Sequence, residues 1–291
     1  MFTPRAIASQ FQAREQSEGV GARIHLSVGS HKLRNLDPFL YLADFKVALP
    51  GGIPDHPHRG FEAVTYLLPS SKGLILHEDF MGNEGTLRPG DLQWMSAGRG
   101  VVHAEMPATQ ETAHGLQLWI NLPKARKLME PRYQDISRDA VPHVFSDDQK
   151  VEAIVFAGEV FGKKGPVETE TPVTYIHFIM QPSATLEYHI PQGHNALLYV
   201  IRGEAVCAGS HVTQYDAVVL NHEGDGVQVI SGEAVGAEFI VVSGQPLNEP
   251  IVQYGPFVMT SENDIRDAFF DYQIGKNGFE NAHAWSSKIA Q

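Results

Sequence analysis

Two histidines at alternate positions, His56 and His58, have a spacing that allows metal chemistry. They lie in the segment Asp55–Glu62, which reads DHPHRGFE. Residues two apart in an extended chain point to the same side, so both imidazoles would project into one space. Two neutral imidazoles can share one transition-metal ion. A lone pair of this kind is more often two exposed histidines before a strand, so a prediction of a site needs further ligands.

A second alternating pair, His103 and Glu105, supplies two further ligands. It lies in the segment Gly98–Met106, which reads GRGVVHAEM, and on a strand its two members would share one face. Three imidazoles and one carboxylate suit Fe, Mn, Ni, Cu or Zn rather than a thiolate site. The competing interpretation is an ion pair between Glu105 and a nearby arginine such as Arg99.

Strands must position these side chains, because short apolar or alternating runs recur along the chain. Turn residues such as Pro50-Gly51-Gly52 separate the runs, a pattern typical of an all-β barrel or sandwich. The polar stretch Glu130–Lys150 separates two groups of strands, so we place an N-terminal domain at residues 1–135 and a C-terminal domain at residues 136–291. The predicted strands are Phe39–Phe45, Ala63–Leu68, Leu92–Met95, Leu116–Ile120, Glu152–Ala157, Thr174–Met180, Ala196–Ile201, Ala217–Leu220 and Phe239–Val242.

One helix is predicted near the end of the sequence, where Ser261–Asp264 resembles a capping box and Gly275 is the expected stop. An apolar stripe follows the cap at helical spacing. The stripe comprises Ile265, Ala268, Phe269 and Tyr272. We expect this helix to end the C-terminal domain and to pack on the outer face of a barrel.

The two halves of the chain repeat a pattern, which suggests one barrel in each. Residues 89–96 resemble residues 214–221, since both have an aspartate after a turn and then an apolar run. The alignment pairs His56 with His189, His58 with Pro191, Glu62 with Asn195, His103 with Gln228 and Glu105 with Ile230. One imidazole does not hold a metal ion. The sequence therefore predicts one divalent transition-metal ion per chain, in the N-terminal barrel, and a C-terminal barrel without a metal site.

Composition excludes some classes of partner. The formal net charge of −12 repels nucleic-acid phosphates, and no Lys/Arg-rich run offsets it, so direct nucleic-acid binding is not expected. A protein partner is compatible with this charge. No apolar run approaches the about 18 residues of a membrane helix, and Cys207, the one cysteine, cannot form an intrachain disulfide. We therefore expect no membrane association and a cytoplasmic protein, with the nucleus as the alternative in a eukaryote.

Both histidine motifs resemble those of the cupin superfamily of small β-barrels. The first has the pattern His-x-His-x3-Glu and ends at Glu62. The second departs from the usual Pro-x-Gly-x2-His, because Ser96-Ala97-Gly98 is followed by four residues before His103. This departure leaves the fourth ligand open between Glu62, the carboxylate that most cupins would use, and Glu105.

Longer stretches resemble the pirin family, whose members have two cupin barrels, over nearly the whole chain. They include NLDPF (35–39), DHPHRGFE (55–62), PGDLQWM (89–95), HAEMP (103–107), AHGLQLW (113–119) and GPFVM (255–259). The resemblance implies metal ligands at His56, His58, His103 and Glu105, with Glu62 as a neighbour. It also implies iron as the metal, with Cu, Mn, Ni and Zn as alternatives.

The same resemblance implies a function. Pirin relatives resemble quercetin 2,3-dioxygenases, which open the central ring of a flavonol and release carbon monoxide. The expected substrates are then dioxygen and a small aromatic, flavonol-like molecule, and Glu105 would take the proton from the flavonol hydroxyl. The alternative is a redox-sensitive iron-binding regulatory protein that modulates a transcription factor or a metabolic enzyme.

Overall fold

The structure, a computed structural model, describes residues 1–19 and 21–291. These residues form mostly strands, together with the helix α1 (Glu262–Ile274) and a 3₁₀ turn (Lys124–Arg126). The strands are β1 (Ile7–Gln12), β2 (Arg14–Glu18), β3 (Ala22–Leu26), β4 (Phe39–Val47), β5 (Ile53–His58), β6 (Phe61–Leu67), β7 (Ile75–Asp79), β8 (Glu84–Leu87), β9 (Leu92–Ser96), β10 (Val101–Pro107), β11 (Ala113–Asn121), β12 (Arg132–Ile136), β13 (His143–Phe145), β14 (Val151–Ala157), β15 (Glu159–Val160), β16 (Lys163–Lys164), β17 (Val173–Met180), β18 (Thr185–His189), β19 (Asn195–Cys207), β20 (Ser210–Thr213), β21 (Asp216–Leu220), β22 (Gly226–Ser231), β23 (Ala237–Gly244), β24 (Val252–Tyr254) and β25 (Phe257–Met259). Within the described residues, no helix has the length and apolar character needed to cross a membrane.

The chain divides into two compact units, and each takes segments from separate parts of the sequence. The first unit comprises Glu15–Gly29, Phe39–Arg138 and Leu247–Gln291. The second unit comprises Met1–Arg14, Ser30–Pro38 and Asp139–Pro246. The main division, at 138/139, lies close to the predicted boundary at 135/136, but the two ends of the chain differ from that prediction. Strand β1 pairs with β21, which places the N-terminal residues in the second unit, and the last 45 residues with α1 belong to the first.

The first unit contains two sheets. The larger has the strand order β12-β9-β6-β11-β4-β3-β2, and the smaller has the order β5-β10-β7-β8. Phe61 and Met95 of the larger sheet and Val101 of the smaller sheet belong to one buried apolar cluster. The interior of this unit therefore lies between the two sheets, as in a barrel.

All nine predicted strands coincide with observed strands, from β4 to β23. The strands that the sequence did not predict include β2 (REQSE) and β8 (EGTL), each of which lies last in its sheet order. An edge strand of this kind need not alternate apolar with polar residues. Its sequence therefore gives no strand signal of period two.

The second unit is built around a sheet of order β1-β21-β19-β23-β17-β14-β13 and has an apolar interior. Its core includes Leu186 and Tyr188 of β18 and Val227 and Val229 of β22. The alternate residues of these strands point away from the core. They include His189, Gln228 and Ile230, and Ile230 is 43% exposed. The repeat alignment therefore matched the predicted ligands with outward-facing residues, each one position away from a side chain that faces the core.

Helix α1 has the bounds that the sequence predicted. The Ser261 hydroxyl oxygen accepts a hydrogen bond from the Asp264 N–H, and Gly275 ends the helix in the left-handed region at φ +66°. Ile265 belongs to a buried apolar cluster with Val102, which lies on the face of β10 opposite His103. The helix therefore packs outside the smaller sheet of the first unit, and it does not close the C-terminal domain as the sequence led us to expect.

Candidate metal centre

The antiparallel pairing of β5 with β10 brings three histidines together. His56 lies directly opposite His103, and His58 is two residues further along β5. The ring centroids are 4.4 Å apart for His56 and His103, 4.7 Å for the two β5 histidines and 5.0 Å for His58 and His103. One ring nitrogen of each lies within 4.8 Å of the other two. No other group of three or more His, Cys, Asp or Glu side chains meets this distance in residues 1–19 and 21–291.

This donor set fits a metal ion. The Nε2 atoms of His56 and His58 are 3.0 Å apart. The Nε2 atom of His103 is buried and has no hydrogen-bond partner among the described residues. Such an atom costs about 1–3 kcal/mol when it is left without a partner, and a metal ion would satisfy it. Converging imidazole nitrogens suit borderline transition metals.

Burial keeps the three imidazoles neutral at pH 7. Loss of solvation lowers the pKa of His56 to about 4 and that of His103 to about 3, and it also holds the pKa of His58 well below its usual value. Neighbouring imidazoles add to the effect at each site, whereas the Glu105 carboxylate opposes it at His56. A neutral imidazole has the lone pair that a metal needs, so these three side chains would have no proton to release on binding one at this pH.

Glu105 follows His103 on β10, but the register shifts between the two, and Glu105 lies opposite Ile53. Its Oε1 accepts a hydrogen bond from the Thr65 hydroxyl at 2.8 Å, and its Oε2 accepts one from the Gln117 amide at 3.4 Å. The carboxylate is buried, with 6% of the residue exposed. It does not belong to the group of atoms that lie within 4.8 Å of one another. Two polar side chains therefore hold it beside the three histidines.

The other candidate carboxylate, Glu62, points away from the histidines. Its Oε1 accepts a hydrogen bond from the Ser96 hydroxyl at 2.6 Å. Phe61 and Thr65 of the same strand face the site, because the Phe61 ring lies 5.1 Å from the His58 ring and Thr65 donates to Glu105. Residues one apart on a strand face opposite sides, so Glu62 lies on the far face of the sheet.

The structure also bears on the competing interpretations of the two motifs, which were a pair of exposed histidines and an ion pair between Glu105 and Arg99. His58 is only 3% exposed, and His56 is half-buried with its Nε2 3.0 Å from that of His58, so the pair is not two exposed surface histidines. Arg99 forms its ion pair with Glu130 at 3.1 Å rather than with Glu105.

An aromatic wall beside the histidines was missed from the sequence. The Trp119 ring lies 5.5 Å from the His58 ring and 4.6 Å from the Phe61 ring, and Tyr41 stacks on Trp119 at 4.8 Å. Trp119 and Tyr41 are partners across β11 and β4. Neither residue has a motif spacing relative to the histidines, so only the strand pairing could reveal the wall.

A cavity of ≈ 60 Å³ opens beside Glu105. Its walls are mainly apolar, as at Ile24, Phe45 and Ile75, and a second carboxylate, Glu18, also lines it. Among the described residues that line the cavity, none is Lys or Arg. The cavity therefore suits an apolar or aromatic group and disfavours an anion.

The fold and the site define a class, a two-barrel cupin protein with a three-histidine centre in one barrel. The profile of the family described as Pirin matches residues 21–120, and the profile described as Pirin C-terminal cupin domain matches residues 175–278. The chain belongs to the pirin family. The resemblance noted in the sequence and the predicted all-β fold of two cupin domains are therefore confirmed.

Similar proteins match nearly the whole chain. A pirin-like protein of Solanum lycopersicum is 47% identical over 288 residues, which are 98% of this chain and 97% of the tomato protein. Pirin of Homo sapiens is 45% identical over 293 residues, which are 99% of each protein. Among solved structures, quercetin 2,3-dioxygenase from Acinetobacter baumannii has a TM-score of 0.84 and 31% identity, and the match covers 95% of this chain and 99% of that one.

The histidine pKa values predict how the stability of the metal-free protein depends on pH. Below pH about 6.5 the unfolded chain protonates these histidines, whereas the folded protein keeps His56 neutral down to about pH 4 and His103 to about pH 3. The unfolded state then binds more protons, so the free energy of unfolding falls as the pH decreases through this window. Denaturant unfolding of the metal-free protein at several pH values measures the slope. His103→Gln should reduce it, and equal slopes for the two proteins would contradict the assignment.

Proposed function

We propose that the chain is a metal-dependent dioxygenase of the quercetin 2,3-dioxygenase type, which opens the central ring of a flavonol and releases carbon monoxide. The observation that carries the proposal is the three-histidine cluster, which lies beside a buried carboxylate that borders an apolar cavity. The likeness to the Acinetobacter baumannii quercetin 2,3-dioxygenase supports it, because that match spans nearly the whole of both chains. Fold likeness alone would not assign an activity, so the site residues carry the argument.

In this proposal His56, His58, His103 and Glu105 hold one divalent transition-metal ion per chain. Iron is the proposed metal, with Cu, Mn, Ni and Zn as alternatives, since such sites follow metal availability as much as affinity. When bound, the ion would stabilise negative charge on a substrate oxygen and leave open positions for substrate and dioxygen. Glu105 is favoured over Glu62 as the fourth ligand because its charge acts on His56, whereas Glu62 faces away.

Glu105 would also take the proton from the flavonol hydroxyl, since its carboxylate lines the cavity. Oε1 is held by Thr65 at 2.8 Å, and Oε2 has only the longer contact with Gln117 at 3.4 Å. A proton accepted at Oε2 would leave the Thr65 bond intact, so the group would keep its orientation during the transfer.

The cavity is compatible with a neutral aromatic substrate but small for one. Its apolar walls would contact flat rings, and the carboxylates of Glu18 and Glu105 would repel an anionic substrate. Ligand sites usually measure about 300–1,000 Å³, well above the ≈ 60 Å³ of this cavity. A flavonol would therefore have to displace side chains that line the cavity, among them Ile53, which is 39% exposed.

The same small volume favours a second candidate function, a regulatory protein. A chain that encloses little space beside its metal centre can use the state of that centre to change its surface for a protein partner, such as a transcription factor or a metabolic enzyme. The metal ligands would be the same in both functions. Turnover of a flavonol therefore separates the two.

The choice of carboxylate can be tested by metal retention. The wild-type protein should hold one equivalent of metal per chain, and Glu105→Ala should lower the retained fraction much more than Glu62→Ala does. The physical reason is that only Glu105 lies on the side of the histidines. Metal analysis after dialysis against a weak chelator measures both variants. A larger loss from Glu62→Ala would reverse the assignment, and a second equivalent that survives His56→Ala would show another site.

The activity itself can be tested with quercetin. Metal-loaded protein should consume oxygen and bleach the visible absorption of quercetin, and His56→Ala or Glu105→Ala should reduce the rate by about 100-fold or more, since each removes a proposed ligand and Glu105→Ala also removes the base. His211→Ala is a matched control, because this histidine is exposed and lies in the second unit. If protein loaded in turn with Fe, Cu, Mn, Ni and Zn leaves quercetin unchanged, the dioxygenase proposal fails for this substrate and the regulatory function leads.

A further inference from the structure

Arg59 directly follows His58 and is a buried cation, with 2% of the residue exposed. Its Nε donates to the carbonyl oxygen of Arg99 at 2.6 Å, its Nη1 to Oδ2 of Asp271 at 2.8 Å and its Nη2 to the carbonyl oxygen of Asn277 at 2.7 Å. We call these three contacts the Arg59 anchor. Every guanidinium nitrogen has an acceptor, and the planar group fixes the direction of each bond as well as its length.

The ion pair with Asp271 balances the charge of the anchor. The two side chains are 3% and 13% exposed, and Oδ1 of Asp271 accepts a second hydrogen bond from the Asn277 amide at 2.8 Å. The Phe279 ring lies 4.7 Å from the guanidinium carbon. Loss of the carboxylate charge would leave a buried cation uncompensated, so the pair is sensitive to changes in either partner.

The main chain around Arg59 is also held in place. The Arg59 N–H donates to the Pro256 carbonyl at 3.3 Å, and the Arg59 carbonyl accepts from the Val258 N–H at 3.0 Å. The N–H of Gly60 donates to the Gly98 carbonyl at 2.8 Å. These bonds tie the end of β5 to the hairpin β24–β25 and to the loop that leads into β10.

One guanidinium therefore joins three parts of the first unit. The first part is the end of β5, the strand that carries two of the histidines. The second is the loop that leads into β10, the strand that carries the third histidine. The third is α1 with the residues that follow it. A ligand ring can keep a productive position only if its backbone is fixed to within about 0.5 Å. The anchor is placed to fix the backbone of both ligand-bearing strands at once.

We propose that Arg59 is a positioning residue for the metal centre and that, through Asp271, it couples retention of the metal ion to the docking of α1. The inference rests on the proposed metal centre but not on the proposed dioxygenase activity. Coupling of this kind is reciprocal. If docked α1 makes the site hold its ion more tightly, then the bound ion makes α1 harder to open by the same factor.

The test uses full-length protein loaded with one equivalent of Zn²⁺ as the probe. Asp271→Asn keeps the shape of the side chain and removes its charge, and Arg59→Lys keeps the charge and removes the planar fork. Each variant should release Zn²⁺ to an excess of a chromogenic chelator about 10–100-fold faster than wild type, the usual effect of losing a residue that orients a ligand. Asp271→Glu restores the charge and should return the rate to within a few-fold of wild type.

Hydrogen exchange gives a second measurement. If Arg59 and Asp271 only stabilised the fold, Zn²⁺ would not change the exchange rate of the α1 amides. Zn²⁺ should slow exchange of the α1 amides in wild type, and this protection should be lost in Asp271→Asn. Glu238→Gln is the matched control, because it removes the charge of a buried carboxylate, which pairs with the exposed Arg202 at 2.7 Å in the second unit. It should lower Tm without a change in Zn²⁺ release.

Each outcome bears on a separate claim. If wild type retains Zn²⁺ and the variants Asp271→Asn and Arg59→Lys release it at the wild-type rate, the positioning role of the Arg59 anchor is wrong. The proposed metal centre would be unaffected by that result. Release that rises equally in Glu238→Gln would also overturn the positioning role, since the effect would then be general destabilisation. A wild-type protein that holds no Zn²⁺ would overturn both the metal centre and the anchor. Faster release from the variants, together with no turnover of quercetin by protein loaded in turn with Fe, Cu, Mn, Ni and Zn, would support the anchor and contradict the dioxygenase.

Discussion

The register between β5 and β10 is the constraint on which the rest of the first unit depends. It sets His56 against His103, and with His58 it brings three ring nitrogens within 4.8 Å of one another. A slip of one residue would turn the histidines of one strand to the opposite face. Val102 opposes such a slip, because it is buried on the other face of β10 in the cluster that α1 covers. Apolar burial outside the sheet thus keeps the polar site aligned inside it.

Burial then determines the chemistry of the cluster. Imidazoles removed from water stay neutral and keep their lone pairs, and the buried Nε2 of His103 has no hydrogen-bond partner within the part of the chain that the structure describes. The stability lost by such an arrangement would be regained on binding of an ion. The second unit shows the opposite solution, since the corresponding strands β18 and β22 direct Leu186, Tyr188 and Val227 into an apolar core.

Local signals explain what could be predicted from the sequence. The nine strands follow from apolar runs, the bounds of α1 follow from Ser261 and Gly275, and the histidine spacing follows from the period of a strand. The remaining features depend on pairing between distant segments. The alternation of a strand places Glu62 and Thr65 on opposite faces of β6. Only the contact of Thr65 with Glu105 shows that the Thr65 face is the one directed toward the site. The repeat alignment was shifted by one residue because the sequence likewise does not show which face of β18 and β22 is directed into the core.

The central claim is that three imidazoles and the Glu105 carboxylate bind one metal ion. The most direct measurement is X-ray absorption at the metal K-edge of protein loaded with one equivalent of Zn²⁺. The account predicts three imidazole nitrogens at about 2.0–2.1 Å and a carboxylate oxygen at about 2.0–2.2 Å, with one imidazole lost in His58→Gln and the carboxylate lost in Glu105→Ala. A spectrum without imidazole scattering, or one that neither substitution changes, would contradict it.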